Sequence, residues 1–183
     1  PNSFMPNQFE NPDNPRTHAE TTALEILEQT EGRFDAFVAA CGTGGTFSGV
    51  ARAIKGRYPQ IRMVVVEPAR AAVMSGCEAG FHKIQGIGEG FVPCTMDVDM
   101  ADEIIQVDDD EALQTARRLA RAEGILTGIS GGANVFASLK LGKEMRTDGV
   151  IVTVIPDNAL RYFSTELFEC STRLEPTEST ETV

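Results

Sequence analysis

Short apolar runs alternate along the chain with segments whose apolar residues recur at helical spacing. The apolar runs predict four strands, at residues 34–41, 61–66, 104–107 and 150–155. The helical spacing predicts helices at residues 14–32, 46–55, from 108–110 through 120, and at about 132–145. Continuous apolar strands are buried on both faces. The alternation therefore predicts an α/β fold, a parallel sheet with helices on both faces.

Polar residues mark where several of these helices are expected to begin. Asn14, directly before Pro15, is a predicted N-cap of the first helix. Ser130 is a predicted cap of the last helix, and the acidic run 108–110 would place negative charge at the start of the helix between them.

The two ends of the chain differ from its middle. Residues 1–12 are rich in proline and asparagine and start without methionine, so we expect a loop there and a truncated beginning. Residues 169–183 are acidic and rich in Ser and Thr, with little to bury, and they are predicted to be a disordered tail. One domain is expected over residues 1–168.

Composition and charge narrow the class of protein. The 183 residues are 42% hydrophobic and carry a formal net charge of −11, which argues against a nucleic-acid or anionic-membrane partner. No apolar run approaches the roughly 20 residues that span a bilayer, and no signal segment is seen, so a cytoplasmic protein is expected. The cysteines have no metal-ligand or paired spacing and are interpreted as packing residues: Cys41, Cys77, Cys94 and Cys170.

The turn after the first strand is the strongest candidate for ligand binding. Residues 41–46 read Cys-Gly-Thr-Gly-Gly-Thr and open a predicted helix. Such a turn presents backbone N–H groups and hydroxyls to one point, which is the requirement for holding a phosphate. The candidate residues are Gly42, Thr43, Gly44, Gly45 and Thr46.

Four interpretations of this turn make different demands. A P-loop needs a lysine directly after the last glycine, and Thr46 stands there instead. A dinucleotide fingerprint is met by two glycines and by Glu67 at the end of the next strand, but Phe47 occupies its third glycine position. A tight turn without a ligand explains the glycines but not the two threonines. A binding site for a single phosphomonoester, formed by backbone amides and threonine hydroxyls, explains both the glycines and the threonines.

Five stretches together resemble a known family. They are the glycine turn, residues 5–15 (Met-Pro-Asn-Gln-Phe followed by two Asn-Pro pairs), residues 82–93 (His-Lys-Ile-Gln-Gly-Ile-Gly-Glu-Gly-Phe-Val-Pro), residues 123–133 and residues 161–168. In this order they resemble the pyridoxal-phosphate enzymes of the tryptophan-synthase-β type (fold type II) and, within them, cysteine synthase (O-acetylserine sulfhydrylase). The resemblance covers about residues 1–168.

The resemblance implies roles for particular residues. Pyridoxal 5'-phosphate would be the cofactor, its phosphate held by residues 42–46. Asn158 stands where many family members have a serine that meets the pyridine nitrogen. The neighbouring Asp157 is the weaker candidate, because a carboxylate would favour a protonated ring nitrogen. Substrate contacts would come from Gln8, which would help to hold the substrate carboxylate, and from the entrance loop residues Gly86, Ile87 and Gly88.

The implied reaction is a β-replacement, in which sulfide replaces the acetate of O-acetyl-L-serine to give L-cysteine. The family's Schiff-base lysine lies in a Ser-x-Lys segment before the glycine turn, and none of the four lysines here has that context: Lys55, Lys83, Lys140 and Lys143. We therefore expect residues 1–168 to be the C-terminal part of the pyridoxal-phosphate domain. The chain alone is expected to be inactive and to contain no catalytic residue. His18 and His82 show no partner in the sequence and are weak acid–base candidates.

Other functions remain open at this point. A cystathionine β-synthase, with homocysteine as nucleophile, and an O-phosphoserine-using synthase share the fold. A non-catalytic binding module, or a partner of serine acetyltransferase, whose tail docks in the cleft of family members, is an alternative of another class. Family members are usually homodimers, so a second copy of the chain is an expected partner.

Overall fold

The protein forms a four-stranded parallel sheet. A computed structural model describes residues 2–145 and 147–168. The strands are β1 (Ala36–Ala40), β2 (Arg62–Pro68), β3 (Glu103–Val107) and β4 (Ile151–Thr153), in the order β3-β2-β1-β4. Phe37 in β1 pairs with Met63 of β2 on one side and with Val152 of β4 on the other. All pairs are parallel, which confirms the predicted fold class.

Helices cover both faces of this sheet because successive strand residues point to opposite sides. The helices are α1 (Asp13–Glu20), α2 (Thr22–Thr30), α3 (Gly45–Lys55), α4 (Asp109–Glu123) and α5 (Ile129–Glu144). Phe37 and Ala39 of β1 pack in one apolar cluster with residues of α2 and α3. Ala36 and Val38 pack in the other with residues of α4 and α5. The two central strands, β1 and β2, are thus buried on both sides, while the edge strands β3 and β4 are partly exposed.

The first predicted helix, at residues 14–32, is divided in the structure. The chain leaves helical geometry at Thr21, where φ is −126° and ψ is −77°, and α2 starts one residue later. Asn14 is not the N-cap that the sequence predicts, since α1 begins one residue before it. Its amide nitrogen instead donates to the Gln8 carbonyl at 2.9 Å and to the Thr43 hydroxyl at 2.9 Å.

The start of α5 also corrects a prediction. Gly128 occupies the N-cap position, and its carbonyl accepts from the Gly132 N–H at 3.2 Å. Ser130 is therefore inside the first turn, where it is buried, and not the cap. The acidic start of α4 is as predicted. Asp108 and Glu111 form a capping box in which each side chain accepts from the backbone of the other.

Two further predictions concern the ends of the chain. The expected disorder of residues 169–183 lies outside the described residues, and the domain limit at residue 168 stays a prediction.

Within residues 2–145 and 147–168, no helix is both long enough and apolar enough to cross a membrane.

Candidate functional site

A cleft opens at the carboxyl ends of β1 and β4, the edge at which open α/β sheets place their ligands. Its volume is about 290 Å³. It is lined by the turn after β1, by the loop at residues 85–87, by the first turns of α5 and by the segment after β4. The lining residues that carry polar side chains are Thr43, Thr46, Gln85, Ser130, Asn134, Asp157, Arg161 and Tyr162.

The glycines of the turn after β1 are required by close packing. A Cβ on Gly42 would lie 2.4 Å from the Gly86 carbonyl oxygen. Gly44 has a φ of +79°, and a Cβ there would lie 2.5 Å from the Cβ of Met96. A Cβ on Gly45 would lie 1.9 Å from Oδ1 of Asn14. Backbone geometry and contacts thus account for all three glycines.

The two threonines of the turn are held by side chains of α1. Thr43 Oγ1 accepts from Asn14 Nδ2 at 2.9 Å and from the Gly45 N–H at 3.2 Å. Thr46 Oγ1 lies 3.2 Å from Nε2 of His18, whose other ring nitrogen lies 2.9 Å from Thr22 Oγ1. Burial lowers the pKa of His18 below its usual value of 6.5, so the ring is neutral at pH 7.

Sequence reasoning misses Asn14 and His18 as parts of this site. The contact between His18 and Thr46 could not be read from the sequence, because the two residues are 28 positions apart. The sequence nevertheless contains one indication that Asn14 and His18 act together. Asn14 and His18 are four residues apart, so they lie on the same face of a helix and can reach one neighbouring loop.

The turn also presents hydrogen-bond donors that the fold does not use. Among residues 2–145 and 147–168, no acceptor is found for the backbone N–H groups of Gly42, Thr43, Gly44 and Thr46. Gly44 and Thr46 are among the free amides expected at the N-terminus of α3, whose dipole adds partial positive charge, and Gly42 and Thr43 lie in the turn directly before it. A phosphate group fits this set of donors without a lysine.

The predicted entrance loop lies beside the turn. Gly86, with a φ of +87°, and Ile87 line the cleft. Gly88 does not line it. Its N–H donates to the Cys41 carbonyl at 3.1 Å, which ties the loop to the end of β1. Gln8 is exposed, and its bond to Asn14 is made by its backbone carbonyl.

Asn158 does not line the cleft. It is exposed, and its Oδ1 accepts from the Leu160 N–H at 2.9 Å at the start of a short 3₁₀ helix, Ala159–Tyr162. Its neighbour Asp157 lines the cleft instead, together with Ser130 and Asn134 of α5. A contact between Asn158 and a cofactor ring stays a prediction.

Cys41, directly before the glycine turn, and the lysines Lys55 and Lys83 are not placed for chemistry in the cleft. Burial, together with the negative charges of Glu67 and Glu89, raises the pKa of Cys41 to about 12, which agrees with a packing role. Lys55 pairs with Asp102 at 2.5 Å and Lys83 with Glu166 at 2.6 Å. In the described part of the chain no lysine lines the cleft, and no three side chains are grouped to hold a metal ion.

Known proteins resemble this chain over most of its length. The sequence model of a family described as pyridoxal-phosphate dependent enzyme matches residues 1–157. A cysteine synthase of Staphylococcus aureus (strain Mu50 / ATCC 700699) is 49% identical over 166 residues, which are 90% of this chain and 54% of that protein. The chain thus spans about half the length of the curated relatives it matches.

Solved structures give the same match in three dimensions. O-acetylserine sulfhydrylase isoform 3 from Entamoeba histolytica has a TM-score of 0.88 and 41% identity, covering 91% of this chain and 50% of that one. The O-acetylserine dependent cystathionine β-synthase from Helicobacter pylori has a TM-score of 0.87 and 39% identity, covering 92% of this chain and 55% of that one.

Proposed function

This chain belongs to the pyridoxal-phosphate dependent enzyme family, and we propose that it forms the phosphate-binding part of a cysteine synthase. The enzyme would replace the acetate of O-acetyl-L-serine with sulfide to give L-cysteine. The observation that carries this proposal is the set of four free backbone amides at the N-terminus of α3, in a cleft bordered by the loop at residues 85–87. The 49% identity to a cysteine synthase supports the choice of reaction.

The chain's own residues supply the phosphate end of the site. The bound cofactor would serve as the electron sink for loss of acetate and addition of sulfide. Thr43 Oγ1 already accepts two N–H groups, so its own O–H proton is free to donate to a phosphate oxygen. A neutral His18 that donates from Nε2 would leave the Thr46 O–H equally free. Both hydroxyls thus add to the amide donors.

The substrate would bind beside the cofactor, between the loop at residues 85–87 and the segment that carries Gln8. Gly86 and Gly88 have positive φ angles, so the backbone between them adopts a shape that few other residues tolerate and comes close to the cleft. We place the substrate at this loop, with Gln8 as a donor to its carboxylate. The bond between Asn14 and the Gln8 carbonyl supports this, because it holds the segment of Gln8 next to the glycine turn.

The proposal extends to partners and to place in the cell. A second copy of the chain is the expected partner, and the tail of serine acetyltransferase would dock in the same cleft, beside the loop at residues 85–87. We place the protein in the cytoplasm. The three described cysteines, Cys41, Cys77 and Cys94, are free thiols, as in a reducing compartment.

A chimera tests the reaction. Residues 2–168 replace the matching part of the Staphylococcus aureus cysteine synthase, and formation of cysteine from O-acetyl-L-serine and sulfide is measured. We expect activity, and we expect Thr46→Val in the chimera to weaken cofactor affinity by about tenfold, the loss of one hydrogen bond to a charged group. Ser138→Ala, in α5 and outside the cleft lining, is the matched control. A folded chimera that binds pyridoxal phosphate but forms no cysteine would contradict the proposal.

The same chimera distinguishes a cysteine synthase from the second candidate, a cystathionine β-synthase. The likeness to the Helicobacter pylori enzyme favours cystathionine β-synthase as the alternative. The two reactions differ in the nucleophile, so homocysteine is offered in competition with sulfide. Formation of cystathionine in preference to cysteine would select the alternative.

A further inference from the structure

A threonine from outside the glycine turn holds one of the turn's carbonyl groups. Thr95 lies between β2 and β3 and is 3% exposed. Its hydroxyl lies 2.6 Å from the Thr43 carbonyl oxygen and 3.2 Å from that of Phe9. Its backbone N–H donates to the Phe9 carbonyl at 3.3 Å. A hydroxyl has one proton to donate, and the shorter contact indicates that Thr43 accepts it.

The residues that follow Thr95 are packed against the same turn. The Asp97 N–H donates to the Ser48 hydroxyl at 2.8 Å, and Ser48 is a buried residue of α3 whose own N–H donates to the Gly44 carbonyl at 2.9 Å. Between them, the Cβ of Met96 lies 2.5 Å from the place that a Cβ on Gly44 would take. This packing keeps the Thr95 hydroxyl at its contact with the turn.

The bond to the Thr43 carbonyl sets the direction of the next N–H group. The peptide between Thr43 and Gly44 is trans, so its C=O and N–H point in opposite directions. Because the carbonyl is turned towards Thr95, the Gly44 N–H points away from it. Gly44 lines the cleft and Thr95 does not. This N–H is one of the four that have no acceptor in the described part of the chain.

The geometry of Gly44 alone does not fix this direction. Its φ of +79° and ψ of −7° are those of the third residue in a type II turn. A type I turn differs chiefly by reversal of the preceding peptide, and glycine accepts both sets of angles. Reversal would replace the N–H by a carbonyl oxygen, which repels an anion. It would also take the closest acceptor away from the buried Thr95 hydroxyl, which is costly.

We propose that Thr95 is a positioning residue of the phosphate site, whose hydroxyl keeps the Gly44 N–H directed at a bound phosphate group. The inference rests on the proposed function, which places the phosphate of the cofactor at this turn. Thr95 acts through the backbone and does not touch the ligand. Sequence reasoning misses it because Thr95 and Thr43 are 52 positions apart.

Removal of the hydroxyl tests this role. The full chain and its Thr95→Val variant, which keeps the shape of the side chain, are titrated by calorimetry with pyridoxal phosphate. We expect the variant to bind about tenfold more weakly, the loss of one hydrogen bond to a charged group. Thr95→Ser keeps the hydroxyl and should bind within about twofold of the unmodified chain.

Thr153→Val is the matched control. The Thr153 hydroxyl donates to the Val38 carbonyl at 2.8 Å, and the residue does not line the cleft. Both valine variants lose one hydrogen bond to a backbone carbonyl, but only Thr95→Val should weaken binding. Equal weakening in both variants would overturn the inference, since it would reflect a general loss of stability.

The Gly44 amide gives a second readout in the unmodified chain, which keeps the test decisive if Thr95→Val does not fold. Its ¹H–¹⁵N resonance should shift on addition of pyridoxal phosphate, and it should shift in the same direction with inorganic phosphate alone. A Gly44 resonance that stays in place at saturating pyridoxal phosphate would overturn the inference.

A comparison with pyridoxal, which lacks the phosphate, separates this inference from the proposed function. If the unmodified chain prefers pyridoxal phosphate to pyridoxal and Thr95→Val binds it with unchanged affinity, the inference is wrong and the phosphate site stands. Equal affinity of the unmodified chain for the two compounds would refute the proposed cofactor site, and the inference with it.

Discussion

Substitution of Gly45 by alanine should destabilise the protein although the residue lies in a helix. Gly45 begins α3 and does not have a positive φ, so alanine would normally add up to about 1 kcal/mol of stability there. The added Cβ would, however, lie 1.9 Å from Oδ1 and 2.4 Å from Cγ of Asn14. The asparagine must move, which breaks its bonds to Thr43 and Gln8.

The magnitude follows from these contacts. Overpacking of this kind costs about 1–3 kcal/mol, and each lost hydrogen bond costs about 1 kcal/mol. After the gain in helix propensity, the net destabilisation by Gly45→Ala should be about 2–4 kcal/mol. Asn14→Ala alone should cost about 2 kcal/mol through its two hydrogen bonds. Because Asn14→Ala removes the three atoms nearest to the new Cβ, the double variant should be no less stable than Asn14→Ala.

Urea unfolding followed by circular dichroism measures these free energies. Gly56→Ala is the matched control, because Gly56 ends the same helix with a φ of −64° and a Cβ added there would meet no atom within 4 Å. That variant should be more stable by about 0.4–1 kcal/mol. Additivity of Gly45→Ala and Asn14→Ala within about 0.5 kcal/mol would refute the close contact between the two residues.

Three further predictions concern single groups. Asp108→Ala breaks the capping box with Glu111 and should lower the free energy of unfolding by about 1 kcal/mol; an unchanged urea midpoint would contradict the cap. Burial raises the pKa of Cys41 to about 12, so at pH 8 its thiolate population should be about a thousandfold below that of an ordinary thiol. Ellman's reagent should therefore label the exposed Cys77 and Cys94 before Cys41. His18 has a folded-state pKa below 6.5, so the unfolded chain binds its proton first and stability should fall as pH drops below about 6.5. His18→Gln should flatten that part of the stability profile, and an identical slope in both proteins would count against it.

The positions of the strands and of most helices could be predicted because they depend on local patterns. The run of valines at residues 64–66 reads as a buried strand and lies at the centre of β2. The break at Thr21 could not be predicted, since the apolar spacing continues through it. The proline after Asn14 predicts an N-cap at Asn14. The asparagine side chain instead donates a hydrogen bond to Thr43, about 29 residues away along the chain. Capping preferences consider only neighbouring residues, so they cannot predict that Thr43 binds the Asn14 side chain instead.

The sequence by itself determined the parallel α/β fold and indicated the glycine turn as the candidate anion site, because strand periodicity and glycine-rich helix starts are local properties. The tertiary structure alone decided which side chains surround that turn. Asn14 and His18 reach it from α1, while Asn134 of α5 and Asp157 after β4 line the same cleft. Contacts between segments far apart in the chain depend on how the sheet orders its strands, and β4 pairs with β1 over more than a hundred intervening residues.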